Sequence, residues 1–172
     1  MGSKNRRIGV TIIMPSPFNS PLESGVRSLS ILVAAFPRSL DLQYLVFFDY
    51  LTVHSRDVDG PESLHAPIPM RSGELAVRRG LIERGLLLMI SRDLIERLAQ
   101  HDGFSYVAAD AAAPFLDMLG AEYTLKLRKR SNWVISTFGN VSTEDIRDIE
   151  RRIYHGGWAS QFQLTEGVTD RR

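Results

Sequence analysis

A mainly α-helical fold with one small β-hairpin (α+β) is predicted for this chain by three observations. Several stretches repeat apolar residues at helical spacing, and most of them open on a capping residue. One short stretch alternates instead about an Asp-Gly turn. The segment from His54 to Arg71 keeps neither period.

The first helix is predicted from "FNSPLESGVRSLSILVAAFP". Ser20 caps it, Pro21 takes the first helical position, where a missing N–H costs nothing, and Glu23 completes a capping box. Leu22, Val26, Leu29, Val33 and Phe36 share the face expected to be buried, and Pro37 stops the run. A second helix in "DLQYLVFFDYLTVH" follows the cap Asp41 and turns Tyr44, Phe47, Phe48 and Leu51 to the core. Next comes "HSRDVDGPESLHAPIPMR", with three prolines and one glycine. A connection of that length inside a compact domain is uncommon unless it has a function or is disordered.

The third helix starts near Ser72, in "MRSGELAVRRGLIERGLLLMISRDLIERL". Leu75, Ile82, Leu86 and Met89 form one stripe, and Val77, Leu81 and Leu88 a second, so burial on two sides is expected. "DLIERLAQHDGFSYVAAD" predicts two short strands about Asp102-Gly103, with Phe104 and Tyr106 pointing the same way. From Asp110 one long helix is expected through "AAAPFLDMLGAEYTLKLRKRSNWVISTF", with Pro114 in its first turn and Gly139-Asn140 at its end. A last helix, "STEDIRDIERRIYHGG", has a Ser142–Asp145 capping signature and a Gly156 stop. Residues 1–19 form an extension whose "RIGVTII" is at most an edge strand, and Met14 is an alternative start. Residues 20–139 are then the domain and residues 140–172 a short helix and tail.

Helix, helix, long loop, helix, hairpin, helix is the order of a winged helix-turn-helix core, here followed by long C-terminal helices. DNA-binding relatives of that fold put the third helix into the major groove. In this third helix Arg78 and Arg79 flank the first stripe while Arg84 projects roughly opposite it, and Glu74 and Glu83 sit among them. A carboxylate facing phosphates costs affinity, and "GLLLMI" carries no polar group to read a base edge. The arginines are therefore expected to pair with acids such as Glu74, Glu83 or Asp49, or to face a partner protein, where arginine is favoured.

At 172 residues the chain suits one core that buries roughly 70% of its unfolded surface. With 21 Lys and Arg against 20 Asp and Glu, no long-range field draws it onto nucleic acid, so any DNA contact must come from a local patch. The absence of cysteine excludes disulfides and thiolate chemistry. No stretch supplies the roughly 18 apolar residues of a spanning helix, and no cleavage site follows the basic start. A cytoplasmic protein without a membrane partner is expected.

No Walker loop, H-E-x-x-H or G-x-S-x-G occurs, so neither an enzyme nor a cofactor is expected. "DVDG" resembles the start of a calcium loop, but the twelfth position from Asp57 is Ile68 rather than glutamate, so no metal is assigned. "KLRKR", Lys126, Arg128, Lys129 and Arg130 with Leu127 between, is the most basic run. Its alternatives are a solvated helix face, an acidic partner, or weak phosphate contact indifferent to sequence.

Three stretches, "FNSPLESGVRSLSILVAAFPRSLDLQYLVFFDYL", "VDGPESLHAPIPMRSGEL" and "GLIERGLLLMISRDLIE", resemble the middle component of bacterial ABC-three-component systems. The likeness runs from about Phe18 to the end of the predicted long helix. It implies an adaptor beside an SMC-like or Rad50-like ABC ATPase and an effector that is often a nuclease, as in Lamassu-type defences against phage and plasmids. DNA is then met through the complex. The resemblance supplies no catalytic residues, and its loop pattern falls on Asp57, Gly60, Pro61, Glu62, Ser63, Leu64, His65, Pro67, Arg71 and Glu74. Asp57, Glu62, His65, Arg71, Glu74 and Arg78 are the expected partner contacts. The rival reading is a free-standing winged helix DNA-binding regulator.

Overall fold

The computed structural model describes residues 20–67 and 71–153, with side chains in the third helix described from Ala76 onward. Helix α1 spans Pro21–Ala35, and its capping box is formed: the Glu23 N–H donates to Ser20 Oγ at 3.2 Å and the Ser20 N–H to the Glu23 carboxylate at 3.3 Å. A two-residue strand β1, Leu40–Asp41, precedes α2, Leu42–Val53, where the Tyr44 N–H donates to Asp41 Oδ1 at 2.9 Å. A 3-10 turn at Ser55–Val58 opens the loop, and α3 covers Arg71–Ile90. The hairpin of β2, Ile95–Gln100, and β3, Gly103–Ala108, comes next. After it stand α4, Ala112–Asp117, α5, Glu122–Phe138, and a helix α6 over 143–153.

The strands form one antiparallel sheet in the order β1-β3-β2. Gln100 pairs with Gly103, so His101 and Asp102 make a two-residue turn, and Gly103 takes φ 145°, a value that L side chains avoid. The expected hairpin is thus present, with a strand the sequence did not predict added on its β3 side. The Ser142–Asp145 cap of α6 is also formed, Ser142 Oγ accepting from the Asp145 N–H at 3.1 Å. The expected Gly156 stop, the tail and the N-terminal edge strand lie outside the described residues. Among the described residues no helix is long and apolar enough to cross a membrane.

Helix α2 lies at the centre, with Leu45 to Val53 all buried, and α1, α3 and α5 pack around it. The face expected of α1 is buried only in part: Leu29 is inside and Val26 and Val33 pack half-buried against the core, but Leu22 is 57% and Phe36 59% exposed, and Arg27, Ser28, Ile31 and Leu32 are inside in their place. A polar residue with a buried partner is invisible to an apolar count, which is why the stripe was displaced. In α3 the first stripe is buried at Ile82, Leu86 and Met89, but Val77 of the second is 66% exposed and Leu81 and Leu88 only half-buried. The single helix expected from Asp110 is two helices. Met118 to Ala121 break it, Gly120 weakens helix there, and the redirected α5 packs across α1 and α2.

Helices α1 and α3 meet at Gly25 and Gly85. A Cβ on Gly85 would lie 2.9 Å from both Gly25 Cα and the Pro21 carbonyl oxygen, so the approach requires glycine.

Candidate functional site

Three charges from three helices meet inside the molecule. Asp49 of α2 is fully buried, Arg27 of α1 is 2% exposed and Arg78 of α3 is 7% exposed. Arg27 Nε donates to Asp49 Oδ1 at 2.7 Å, and Arg78 Nη1 donates to Oδ2. Burial alone would raise the Asp49 pKa, but the charges and hydrogen bonds of Arg27 and Arg78 overcome it and hold the carboxyl below its ordinary value. Burial likewise pulls Arg27 down, and Asp49 reverses that. For Arg78 the acid pair with Asp49, one of its two expected roles, is formed, and its guanidinium also lies 5.5 Å from the centre of the Tyr50 ring. Of the other arginines, Arg79 pairs with Glu83 on the exposed side of α3, and Arg84 is exposed.

From this triad the polar contacts run outward to the loop. The Tyr50 hydroxyl donates to Asp57 in the 3-10 turn, which gives Asp57 a partner within the chain. The His54 ring lies 4.9 Å from that of Tyr50 and edge-on to His65 at 6.2 Å. His65 stacks near Tyr123 of α5, Nε2 standing 2.9 Å from the phenol oxygen, and its N–H donates to the Val53 carbonyl. Ser55 Oγ donates to the Pro61 carbonyl at 2.9 Å, Arg130 Nη1 donates to Ser55 Oγ and to the Glu62 carbonyl, and the Trp133 ring fills the space a Cβ on Gly60 would need. The described part of the loop is therefore folded down onto α5 and pinned there at Arg130, Tyr123 and Trp133. The three prolines gave no hint of this, because the pinning side chains lie some 60 residues further on.

The Glu62 side chain is among those the loop exposes, with Ser63 and Leu64 half-buried beside it. Together with Glu122, Tyr123, Lys126 and Arg130 they line a groove of about 470 Å³ between loop and helix. Arg71 and Glu74 are outside the residues with described side chains. In the basic run, Lys126 pairs with Glu122 at 2.6 Å, Arg128 with Asp117 at 2.7 Å, and Arg130 is engaged in the loop, while Lys129 is exposed. No group of three or more His, Asp or Glu side chains among the described residues is arranged to hold a metal ion.

Burial first, then the positive charges of Arg27 and His54, lower the His65 pKa from 6.5 to about 4. The unfolded chain therefore binds this proton at a higher pH than the folded one. The stability His65 contributes is complete above pH 6.5 and is lost progressively as pH falls towards 4. Urea titrations across that window should show the loss in the parent and a flatter profile in His65→Gln. A parent curve with no slope between pH 6.5 and 4 would contradict the buried, neutral imidazole.

Compared with known proteins, residues 17–158 match the family model of the ABC-three component (ABC-3C) system Middle Component 2. No curated protein matches the chain, and no solved structure does. The matched region takes in every described element from α1 to α6, with the buried triad and the pinned loop inside it, and the chain belongs to the Middle Component 2 family of ABC-three component systems.

Proposed function

We propose that this chain is a non-enzymatic adaptor that couples an SMC-like ABC ATPase to an effector, often a nuclease, in a Lamassu-type complex acting against phage or plasmids. Membership of the middle-component family is the observation that carries this reading, because a middle component works among other components. Two features of the fold support it. The element order from α1 to β3, with β1 paired to β3 and the hairpin after α3, agrees with a winged helix core. The loop, held to α5 by Arg130 and Tyr123, forms with it a mixed-charge groove rather than a deep pocket with converging catalytic groups.

The rival reading, a DNA-binding regulator, draws little from the basic run, since three of its four cations are already engaged within the chain. Any DNA affinity of this chain is expected to be weak, indifferent to sequence and steeply salt-dependent.

The test is co-purification with the products of the flanking genes, for the parent and for Glu62→Lys. The Glu62 side chain is exposed and accepts no hydrogen bond from the described residues, so its substitution should shift the melting free energy by no more than about 0.5 kcal/mol. If the loop is the contact, assembly should weaken by about 2 kcal/mol, roughly thirtyfold in Kd. Failure of the parent to associate with any flanking product, together with tight preference for one duplex sequence, would replace the adaptor by the regulator.

A further inference from the structure

A cavity of about 560 Å³ opens where β1 gives out. Leu40 and Asp41 pair with Tyr106 and Ser105, but the next residue, Leu42, already begins α2, so β1 provides no partner for Phe104. The hairpin lines the cavity with Gln100, Asp102, Phe104 and Ser105, and the end of α5 lines it with Gly139 and Asn140. Arg38, Asp41 and Tyr44 complete the lining, and none of these residues belongs to the groove between loop and α5.

The cavity holds hydrogen-bonding capacity that the described residues leave unused. Ser105 is 5% exposed, and its Oγ accepts from Gln100 Nε2 at 2.9 Å, which leaves the Ser105 proton and the Gln100 carbonyl oxygen without a partner among the described residues. Arg38 Nη1 donates to the Gly139 carbonyl and to Asn140 Oδ1, so Arg38 Nε and Nη2 and the Asn140 amide N–H groups remain as donors. On the acceptor side, Asp41 uses one carboxylate oxygen for the Tyr44 N–H, and Asp102 in the turn uses neither. The Phe104 ring is 50% exposed, with the Arg97 guanidinium 4.5 Å from its centre.

These groups discriminate among ligands. An anion would meet two carboxylates against one guanidinium, an apolar molecule would leave the buried Ser105 proton without an acceptor, and a simple ammonium would give Arg38 and Asn140 nothing to bind. A planar heterocycle with acceptors on one edge, donors on another and a face to stack answers all three demands. Guanine is the base with that combination: O6 and N7 accept an arginine fork, while N1–H and the 2-amino group donate. We propose that this cavity binds a guanine base, with Phe104 stacked on its face, Arg38 and Asn140 at O6 and N7, and the Asp102 carboxylate accepting from N1–H and the 2-amino group. A volume of several hundred Å³ suits a nucleoside, since small-molecule sites run from about 300 to 1,000 Å³.

Calorimetric titration of the full chain with guanosine is expected to show one site. Adenosine, which presents a 6-amino donor where guanine has O6, should bind about tenfold more weakly. Phe104→Ala should weaken guanosine by about tenfold, the scale on which a lost aromatic platform acts. In the parent, inosine, which lacks the 2-amino group, should bind more weakly than guanosine. Asp102→Asn, which a two-residue hairpin turn accepts as readily as aspartate, should remove most of that difference. Both variants should melt like the parent, and Glu62→Gln in the loop groove should leave guanosine binding unchanged. The proposal is overturned if millimolar guanosine gives no binding heat, if adenosine binds as tightly, or if Phe104→Ala binds guanosine like the parent. Displacement of guanosine by glycine would also overturn it, because the carboxylates and Arg38 would then be serving a zwitterion.

Discussion

Asp49→Ala is expected to lower the free energy of unfolding by about 3–5 kcal/mol, a large part of what a domain of this size has in reserve. The loss is not that of two surface salt bridges, which are worth little. It arises because Arg27 and Arg78 remain 2% and 7% exposed with no anion between them, and an uncompensated buried charge is far more costly than the pair was favourable. Replacing the whole triad separates the two effects. Arg27→Met, Asp49→Leu and Arg78→Met together remove the charges as well as their pairing, and should come close to the parent in stability or exceed it. Urea denaturation of both variants checks this, and a cost under about 1 kcal/mol for Asp49→Ala would mean that the guanidiniums find water instead. The triad also fixes a pH limb. With the folded Asp49 carboxyl below its ordinary 3.8, its contribution is complete above that value and disappears as pH falls further, below the His65 window. The triple variant should lack this acid limb and keep the one from His65.

The sequence disclosed what is local and concealed what depends on distant partners. Ser20, Glu23 and Asp41 cap the helices expected of them, because a cap is settled within three residues. The hairpin follows from the alternation on either side of Asp102-Gly103, whereas β1 is two residues long and exists only by pairing with β3 some 65 positions on. Arg27 was the costliest omission. It sits in a run of serines on the predicted polar side of α1, and nothing in its neighbourhood shows that Asp49 neutralises it inside the core. The arginines of α3 were more legible: the intervening glutamates argued against a DNA-reading face, and pairing of Arg78 with Asp49 was among the roles foreseen. For the loop, composition indicated that it is not an ordinary connector, but the residues that pin it, Tyr123, Arg130 and Trp133, all come from α5.

Gly85→Ala should destabilise the protein by about 2–3 kcal/mol, although the same change at Gly80, five residues earlier in the same helix, should stabilise it by up to about 1 kcal/mol. Both substitutions gain the same amount of helix propensity from losing the flexible glycine backbone. They differ in what the new methyl group meets. At Gly80 there is nothing within 4 Å, so the propensity gain is uncompensated. At Gly85 the methyl carbon would stand 2.9 Å from Gly25 Cα and from the Pro21 carbonyl oxygen. These are backbone atoms of α1, which cannot swing aside as a side chain could. Helix α1 would have to move away, and with it Arg27, whose Nε is held 2.7 Å from Asp49, so the strain reaches the charged triad. The outcome to look for in paired thermal melts is opposite signs. Equal shifts at both sites would mean that α1 and α3 are not in backbone contact at Gly25 and Gly85.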